Sequence, residues 1–513
     1  MLIRIITFPF LTLWLFIPAF TQDSTFLVKL ESTIQERIDA GEIPSVAFAI
    51  AKDGKIVYQN AWGWADIENQ IPATPHTSYQ IASTSKSMTA TGIMILDHKG
   101  NIDIQDEAEK YMGPLTFDNP HNFQKKVTIR HLLNHTSGLG TYFDIYYADE
   151  SHKMVPFERA FKYFGTLHHP PSTISEYSNL GYGLLDYIIT QNSGRSYSQF
   201  MNEELFQPLS MKHTYVQGSE ATGIVEAQKY DSKLNPLPEI KNNTCGAGNI
   251  FASVEDLIKF GNFYLNQTSE ANAILPQNRR SEMWEYRDPK ALFHYHSQTY
   301  YGLGWYVKPD DNGYYVAWHE GGMMGASSTL KIIPDEHIVV VALTNTSNRN
   351  LCNYVVDALT RQVLPDYDPT PLNEATEIAD YQPFSVDTTF WGKWTGAISV
   401  DSLSVPFSLT FRRDGRATVN YLDYTYASYF TQNNPLPNQE DLLMALTNQG
   451  SFIGLFLGQL PHPKLRREFS HLLSLKLLKQ GNEMRGTVVA LAAAQREYYA
   501  YPLQITLTKE AQK

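Results

Sequence analysis

The spacing of apolar residues is helical at the start of the chain and alternating soon afterwards. Four apolar residues near the N-terminus recur three or four positions apart: Leu27, Leu30, Ile34 and Ile38. This spacing predicts an amphipathic helix that ends at Gly41. Two apolar runs, residues 46–50 and 56–58, then flank Asp53-Gly54. They predict a β-hairpin, because this dipeptide favours tight turns between strands.

Strand patterns return near residue 300, after a stretch in which predicted helices and loops alternate. The runs that predict strands are residues 301–307, 313–318, 327–333 and 337–343. Strands come from both ends of this part of the chain and helices from its middle. We therefore expect an α+β fold, in which an antiparallel sheet is flanked by helices and accompanied by a helical region. This domain is predicted to span residues 22–362.

The C-terminal part of the chain has a different pattern. A Pro-rich and acidic segment, residues 363–387, predicts a linker. Beyond it, in residues 388–513, alternating strands and tight turns predict a small all-β barrel or sandwich. The alternating residues are Phe407, Leu409, Phe411, Leu473, Leu475, Leu477, Leu503, Ile505 and Leu507. Because its alternating strands follow a Pro-rich linker, we expect the region to fold separately. Because it contains no nucleophile–base pair, we also expect it to be dispensable for chemistry.

Composition and charge exclude two classes of partner. Hydrophobic residues make up 43% of the 513 residues and charged residues 18%, as is usual for a globular protein. The net charge is −12, and no basic run is present. We therefore expect neither nucleic acid nor an anionic membrane surface as a partner.

The first 21 residues have the features of a secretory signal peptide. Arg4 precedes an apolar run, residues 5–17, and Pro18 ends that run. Small residues then predict cleavage near Thr21. We expect an exported protein, periplasmic or secreted, without an integral membrane span once the signal is removed. The alternative is an uncleaved anchor, because a single arginine is a weak start for a signal.

The sequence predicts neither a metal nor a cofactor. Its two cysteines, Cys245 and Cys352, are too few for a Cys-rich zinc site, and the chain contains no HExxH motif. Export would permit a disulfide between the two cysteines, but no spacing rule requires one. Two unpaired cysteines are the favoured interpretation.

The stretch IASTSKSMTA places Ser83 and Lys86 three positions apart, at the start of a predicted helix that ends near Gly100. Because residues i and i+3 share a helix face, we expect the lysine amine near the serine hydroxyl. A desolvated lysine can deprotonate a serine, whereas the alternative is an ordinary polar turn. A second Ser-x-x-Lys match, Ser328 to Lys331, lies in a predicted strand, where the two side chains point to opposite faces.

The stretch SEYSNLGYG contains Tyr177 and Asn179 in a loop rich in serine and glycine. A phenol near Ser83 could pass a proton to a leaving group, and the Asn179 amide could bind a substrate carbonyl. Tyr58 and Tyr264 also begin Tyr-x-Asn patterns. They lie in a predicted strand and a predicted helix, which makes both weaker candidates.

The stretch WHEGGMMGASS contains His319, Gly321 and Gly322 on a predicted strand edge. Successive glycines let a substrate backbone approach closely, and the Gly322 amide could form an oxyanion hole together with the Ser83 amide. Taken alone, His319 is better explained as a structural hydrogen-bonding residue.

These three patterns occur together with LLNHTSGL (residues 132–139) and GAGNIFASVEDLIKF (residues 246–260). In this order they resemble the serine β-lactamase-related family, which includes class C β-lactamases, DD-peptidases, D-aminopeptidases and esterases. The resemblance covers residues 27–362, and the region from WGKWTGAI onward is similar to the lipocalin-like β-domain often appended to such enzymes. It implies these roles: Ser83 nucleophile, Lys86 base, Tyr177 proton relay, Asn179, His319 and Gly321 substrate binding, and the Ser83 and Gly322 amides as oxyanion hole.

The resemblance implies an exported serine hydrolase that forms an acyl-enzyme on a small-molecule or peptide substrate. Antibiotic-destroying members usually carry Lys-Thr/Ser-Gly where this chain has His319-Glu320-Gly321. A titratable residue followed by an acid is a poor clamp for a β-lactam carboxylate, and Glu320 repels that group if it faces the cleft. Esterase or D-amino-acid peptidase activity is therefore expected. The alternatives are a β-lactamase, a penicillin-binding protein that never turns over, and a scaffold.

Overall fold

The structure is a computed structural model of the chain. It describes residues 24–149, 154–266, 268–285, 292–294, 299–311, 313–367, 388–400, 403–412, 417–421, 424–427, 445–446, 451–457, 472–494 and 497–511. The predicted signal peptide, and the predicted linker from residue 368 to residue 387, lie outside these ranges. Both therefore stay predictions.

Strands and helices alternate in the N-terminal region. Its strands are β1 (Ser45–Lys52), β2 (Lys55–Asp66), β3 (Ile71–Pro72), β4 (Tyr79–Gln80), β5 (Phe143–Tyr147), β6 (Tyr215–Val216), β7 (Ile240–Asn242), β8 (Ile250–Ala252), β9 (Leu292–His294), β10 (Thr299–Tyr301), β11 (Tyr306–Asp311), β12 (Tyr314–Met323), β13 (Ala326–Ile333) and β14 (Ile338–Thr344). Its helices are α1 (Ser24–Asp39), α2 (Ser85–His98), α3 (Ile129–Leu133), α4 (Phe157–Phe164), α5 (Asn179–Ser193), α6 (Tyr197–Met201), α7 (Cys245–Gly248), α8 (Val254–Leu265), α9 (Ser269–Ile274), α10 (Gln277–Glu282) and α11 (Arg349–Val363).

The main sheet is antiparallel and has the order β3-β2-β1-β14-β13-β12-β11-β10-β9. Alternate residues of β1 enter two different cores. Ala47 and Ala49 belong to the core formed with α2 and α8, whereas Val46 and Phe48 belong to the core formed with α1 and α11. This is the period-2 alternation of a strand that is buried on both faces. The predicted α+β fold, with an antiparallel sheet flanked by helices, is confirmed.

One strand prediction is right and another is wrong. Asp53-Gly54 joins β1 to β2 in the predicted hairpin. The single strand predicted over residues 301–307 is wrong, because β10 and β11 pair with each other across a reversal at this point. The Gly302 amide donates to the Trp305 carbonyl at 2.8 Å and closes the turn. Gly304 has a φ of 85°, which glycine adopts without the steric cost of a side chain, so the chain reverses here.

The C-terminal region is all-β, as predicted. Its strands are β15 (Gly392–Val400), β16 (Leu403–Phe411), β17 (Ala417–Tyr421), β18 (Tyr424–Ala427), β19 (Ala445–Leu446), β20 (Ser451–Leu457), β21 (Leu472–Gln480), β22 (Glu483–Ala494) and β23 (Glu497–Lys509). They follow the order β18-β17-β16-β15-β23-β22-β21-β20-β19 around a core that contains the buried Trp394. Among the described strands no hydrogen-bonded pairing joins β18 to β19, so a closed barrel is not observed.

The C-terminal sheet continues into the N-terminal region. Strand β23 pairs with β5, so that Tyr499 lies opposite Asp144 and Ala500 opposite Phe143, and β5 in turn pairs with β7. The two regions therefore share a sheet, although separate folding of the second region stays a prediction. None of the helices in the described ranges is both long and apolar enough to cross a bilayer.

Candidate active site

Ser83 lies in a 3₁₀ turn, Ala82–Thr84, that leads directly into α2. The preceding Ala82 has a φ of 45°, in the left-handed region that is unfavourable for residues with a side chain. Two hydrogen bonds at Ile81 hold this turn: its amide donates to β8 at 3.0 Å, and its carbonyl accepts from the Ser328 hydroxyl at 2.7 Å. The two neighbouring strands thus sustain the strained turn, and the Ser83 side chain remains partly exposed.

Gly321 packs directly against the turn that carries Ser83. A Cβ built on Gly321 would come within 2.0 Å of the Ile81 carbonyl oxygen and 2.3 Å of Ser328 Oγ. Only glycine therefore fits here, since real Cβ atoms do not approach other atoms so closely. Gly322 follows on the same strand and is exposed. The structure thus brings the strand that carries Gly321 and Gly322 next to Ser83, the predicted nucleophile.

Lys86 is fully buried, one helical turn beyond Ser83. Its Nζ lies 3.1 Å from Ser83 Oγ and donates to the Ala247 carbonyl at 2.8 Å. The rings of Tyr177 and Tyr182 lie beside this amine, with centroids 4.7 Å and 5.6 Å from Nζ. Burial holds the pKa of Lys86 well below its ordinary value. This shift favours the neutral amine, whose lone pair can accept the Ser83 hydroxyl proton.

Tyr177 lies immediately before Ser178, the N-cap of α5, and its hydroxyl is hydrogen-bonded to Ser83. Burial raises the pKa of Tyr177 above its ordinary value, so the phenol keeps its proton at neutral pH. The Tyr177 carbonyl accepts from the Thr141 hydroxyl at 2.6 Å, which fixes the loop. Asn179, two residues further on, is the first residue of α5 and is partly exposed.

The ring of His319 is fully buried, and both of its nitrogens have partners within the protein. Nδ1 lies 2.7 Å from the Glu320 carbonyl oxygen and donates to it, which leaves Nε2 to accept from the Tyr301 hydroxyl at 2.8 Å. Burial and the nearby Lys86 lower the pKa of His319 to about 3. His319 is therefore neutral and does not supply the positive charge that a lysine would supply at this position of the strand. Direct contact between His319 and a substrate stays a prediction.

His135 is a buried residue behind the site, to which the sequence pattern gave no role. Its ring centroid lies 4.4 Å from that of Tyr177 and 4.4 Å from that of Tyr301. Its Nδ1 accepts the Ser178 amide at 3.1 Å, and burial holds the pKa of His135 well below its ordinary value. A neutral His135 thus fixes the loop that carries Tyr177. The only sequence signal was its position within LLNHTSGL.

Arg349, the first residue of α11, is exposed at the margin of the site and was not predicted. A Cβ built on Gly322 would lie 2.8 Å from Arg349 Cδ. The positive charge of Arg349 also lowers the pKa of Tyr177, against the larger effect of burial. A permanent cation therefore lies beside Gly322, whose amide is predicted to form part of the oxyanion hole. No local sequence signal relates this helix start to Gly322.

Glu320 lies on the face of β12 opposite to His319, as strand alternation requires. Its carboxylate accepts from Asn353 Nδ2 of α11 at 3.2 Å, and its charge still raises the pKa of Tyr177. The Glu320 side chain therefore points toward α11, and its charge acts on Tyr177 electrostatically.

The competing sequence matches have structural roles. Lys331 Nζ donates to Asp357 Oδ1 at 2.5 Å and to the Tyr367 hydroxyl at 2.7 Å, on the opposite side of the sheet from Ser328. The Tyr264 hydroxyl is hydrogen-bonded to Thr91 at 2.8 Å in the core. Neither lysine nor tyrosine reaches Ser83.

Tyr58, Cys245 and Cys352 have no assigned part in the candidate site. Tyr58 donates to Glu31 of α1. Both cysteines are unpaired, Cys352 buried and Cys245 half-buried. Within the described ranges, no cluster of His, Cys, Asp and Glu side chains is arranged to hold a metal ion.

Comparison with known proteins agrees with this geometry. The beta-lactamase family matches residues 30–363, well over half of the chain, and the protein belongs to this family. It is 26% identical over 344 residues to Protein flp of Staphylococcus aureus strain MW2, a match that covers 66% of each chain. The match thus spans about two thirds of the length of that relative.

Two solved structures have the same fold. The octameric penicillin-binding protein homologue from Pyrococcus abyssi superimposes with a TM-score of 0.57 at 22% identity, covering 93% of this chain and 100% of that one. EstCE1, a hydrolase with promiscuous acyltransferase activity, superimposes with a TM-score of 0.54 at 19% identity, covering 67% of this chain and 99% of that one. This chain therefore has the fold of the beta-lactamase-family serine hydrolases.

Proposed function

We propose that this protein is a serine hydrolase that forms an acyl-enzyme on Ser83 with ester or peptide-like amide substrates. The observation that carries the proposal is the 3.1 Å contact between Ser83 Oγ and the buried Nζ of Lys86. A serine hydroxyl is unreactive at neutral pH unless a base removes its proton. Lys86 has the position and the lowered pKa that such a base needs.

Acylation begins with attack of Ser83 Oγ on the substrate carbonyl carbon, while the hydroxyl proton moves to the neutral Lys86 amine. The negative charge of the tetrahedral intermediate develops beside the amides of Ser83 and Gly322, at the N-terminal end of α2. The Ala247 carbonyl, 2.8 Å from Nζ, stabilises the resulting ammonium and keeps it aimed at the serine.

Collapse of the intermediate breaks the bond to the leaving group. Tyr177 donates its hydroxyl proton to the departing oxygen or nitrogen and regains a proton from Lys86. This assignment rests on the hydrogen bond between Tyr177 and Ser83 and on the raised pKa of the phenol. Water then attacks the acyl-enzyme, with the same groups moving the proton in the reverse sense.

Esters and peptide-like amides are the favoured substrates, as the sequence predicted. The neutral, internally hydrogen-bonded His319 gives no charged clamp for a carboxylate. The fold likeness to EstCE1, a hydrolase, is compatible with such substrates. Asn179 is the candidate partner for the substrate carbonyl, because it is partly exposed two residues after Tyr177.

A β-lactam is the second candidate, on one specific observation. Arg349 lies against Gly322 and provides a permanent cation that the sequence pattern did not reveal. A guanidinium binds carboxylates well, so it compensates in part for the missing strand lysine. The proposed location is outside the cytoplasm, on the signal-like first 21 residues.

The test of the proposed function is covalent labelling with a fluorophosphonate and a fluorescent penicillin, followed by peptide mapping. The label is expected on Ser83, and Ser83→Ala is expected to abolish it. The matched control is Ser85→Ala in the same segment, because the Ser85 hydroxyl accepts from the Ile250 amide at 3.2 Å. A label that persists in Ser83→Ala would overturn the proposal. Steady-state rates on esters, D-amino-acid amides and nitrocefin then rank the substrates.

A further inference from the structure

The C-terminal sheet contacts the segment that carries Tyr177. Lys476 of β21 and Thr487 of β22 form a cross-strand pair, and their side chains reach the two residues before Tyr177. Lys476 Nζ donates to the Ser175 carbonyl, and the Thr487 hydroxyl donates to Glu176 Oε2 at 3.1 Å. Thr487 is fully buried. These contacts join residues about 300 positions apart, so they belong to the tertiary structure alone.

The contact is closely packed and charged. Glu176 is buried, with His169 Nε2 3.3 Å from Oε2, and Lys476 places a positive charge near this carboxylate. Together these groups hold the pKa of Glu176 below its ordinary value against the effect of burial. A Cβ built on Gly140 would lie 2.4 Å from Pro502 Cβ of β23. The loops on both sides of Tyr177 thus pack against the C-terminal sheet.

The rest of the tyrosine segment is held from within the N-terminal region. The Tyr177 carbonyl accepts from Thr141, the Ser178 amide donates to His135 Nδ1, and the Ser178 hydroxyl donates to the Gly140 carbonyl at 2.9 Å. The Glu176 amide also donates to the His135 carbonyl at 2.8 Å, and the C-terminal sheet adds its contacts at the Ser175 carbonyl and the Glu176 carboxylate. Removal of the contacts from Lys476 and Thr487 would leave the segment before Tyr177 held by fewer hydrogen bonds.

We propose that Lys476 and Thr487 are positioning residues for the reaction, which hold the Tyr177 hydroxyl where it can protonate the leaving group. The C-terminal region is then part of the catalytic unit, contrary to the expectation from the sequence that it is dispensable. This inference rests on the proposed function of Tyr177. A displacement of about 1 Å in a group that transfers a proton can cost about a hundredfold in rate, so a modest loosening of the segment has a measurable effect.

The test compares two esters with the same acyl group on the full-length protein. The p-nitrophenolate of p-nitrophenyl acetate departs without a proton, whereas the ethoxide of ethyl acetate needs one. We expect Lys476→Met and Thr487→Val to lower kcat/KM for ethyl acetate about tenfold more than for p-nitrophenyl acetate, since kcat/KM reports acylation. Tyr177→Phe should show the same selective loss of kcat/KM for ethyl acetate, and this loss should be larger.

Matched variants separate positioning from a general loss of structure. Lys479 lies on the same strand as Lys476, with its Nζ 5.3 Å from the Phe390 ring centroid. The substitution Lys479→Met should leave the ratio of the two rates unchanged. Thr487→Ser keeps the hydroxyl and should restore the ratio. Thr487→Val keeps the shape of the side chain and provides the test if Lys476→Met does not fold.

The outcomes distinguish the two proposals. If Ser83→Ala hydrolyses both esters, the proposed function itself is wrong. If Tyr177→Phe shows the selective loss but Lys476→Met and Thr487→Val slow both esters equally, or slow neither, the positioning role is wrong while the proposed function stands.

Discussion

Gly321 lies so close to Ile81 that a Cβ on the glycine would come within 2.0 Å of the Ile81 carbonyl oxygen. This contact joins the strand that was predicted to bind substrate to the turn that carries Ser83. Because Ile81 also accepts from the Ser328 hydroxyl, the turn that carries Ser83 is positioned by two strands that are distant from it in sequence.

The first prediction concerns this contact. Gly321→Ala is expected to destabilise the protein by about 1–3 kcal/mol, because the new methyl group has no space beside the Ile81 backbone. It should also slow acylation of Ser83 by the fluorescent penicillin at least about tenfold. In Gly322→Ala, the added atom meets the flexible side chain of Arg349, so the loss of stability should be smaller. Chemical denaturation measures the stability of the two variants, and equal stabilities would contradict the explanation.

The second prediction concerns the cost of burying Lys86. Its folded pKa is lowered, so between that pKa and about 10.4 the unfolded chain binds more protons, and stability should rise with pH. Lys86→Met removes this penalty. At pH 7 the variant should unfold at a temperature at least roughly 2–4 °C higher than the wild type. This difference in unfolding temperature should shrink toward pH 10. The rate of hydrolysis should fall at least ~10²-fold.

The control for the lysine experiment is Lys55→Met, since Lys55 is exposed at the β1–β2 hairpin. Thermal unfolding between pH 6 and pH 10 should show no pH-dependent difference between this variant and the wild type. A Lys86→Met protein that is less stable than the wild type at every pH would show that the burial of Lys86 does not lower the stability of the protein.

The third prediction concerns His319. Because its pKa is about 3, it does not titrate between pH 5 and pH 8, and His319→Gln should leave the acid limb of the rate profile where it is. His319→Lys would place a second ammonium beside Lys86 in a buried site and should cost roughly 3 kcal/mol or more of stability. A stable His319→Lys enzyme with faster nitrocefin turnover would contradict this account.

The fourth prediction concerns Arg349. If its guanidinium binds a substrate carboxylate, Arg349→Ala should lower kcat/KM for nitrocefin about tenfold relative to an uncharged ester, which corresponds to ~1.4 kcal/mol. Arg361→Ala, at the exposed C-terminal end of the same helix, provides the comparison. Parallel losses on both substrates would indicate that Arg349 supports the fold rather than the carboxylate.

Part of the geometry of the candidate site was predictable because it is local in the chain. Ser83 and Lys86 are one helical turn apart, so helix geometry alone brings amine and hydroxyl together, and the observed distance is 3.1 Å. The hairpin at Asp53-Gly54 and the alternation in β21 and β23 depend on near neighbours in the same way. The wrong strand prediction over residues 301–307 also concerned a local feature, since the two glycines in this stretch mark a turn rather than a strand.

Other features were decided by packing between distant segments. The desolvation of Lys86, its Ala247 partner and the neutral state of His319 all depend on which side chains surround the site. Arg349 and the contacts of Lys476 and Thr487 lie far from Ser83 in sequence. Sequence periodicity specifies which face of an element is buried, but not which element covers it. The proximity of Ser83 and Lys86 therefore followed from the sequence, whereas the lowered pKa of Lys86, the strained turn at Ala82 and the contacts that hold the Tyr177 segment required the tertiary structure.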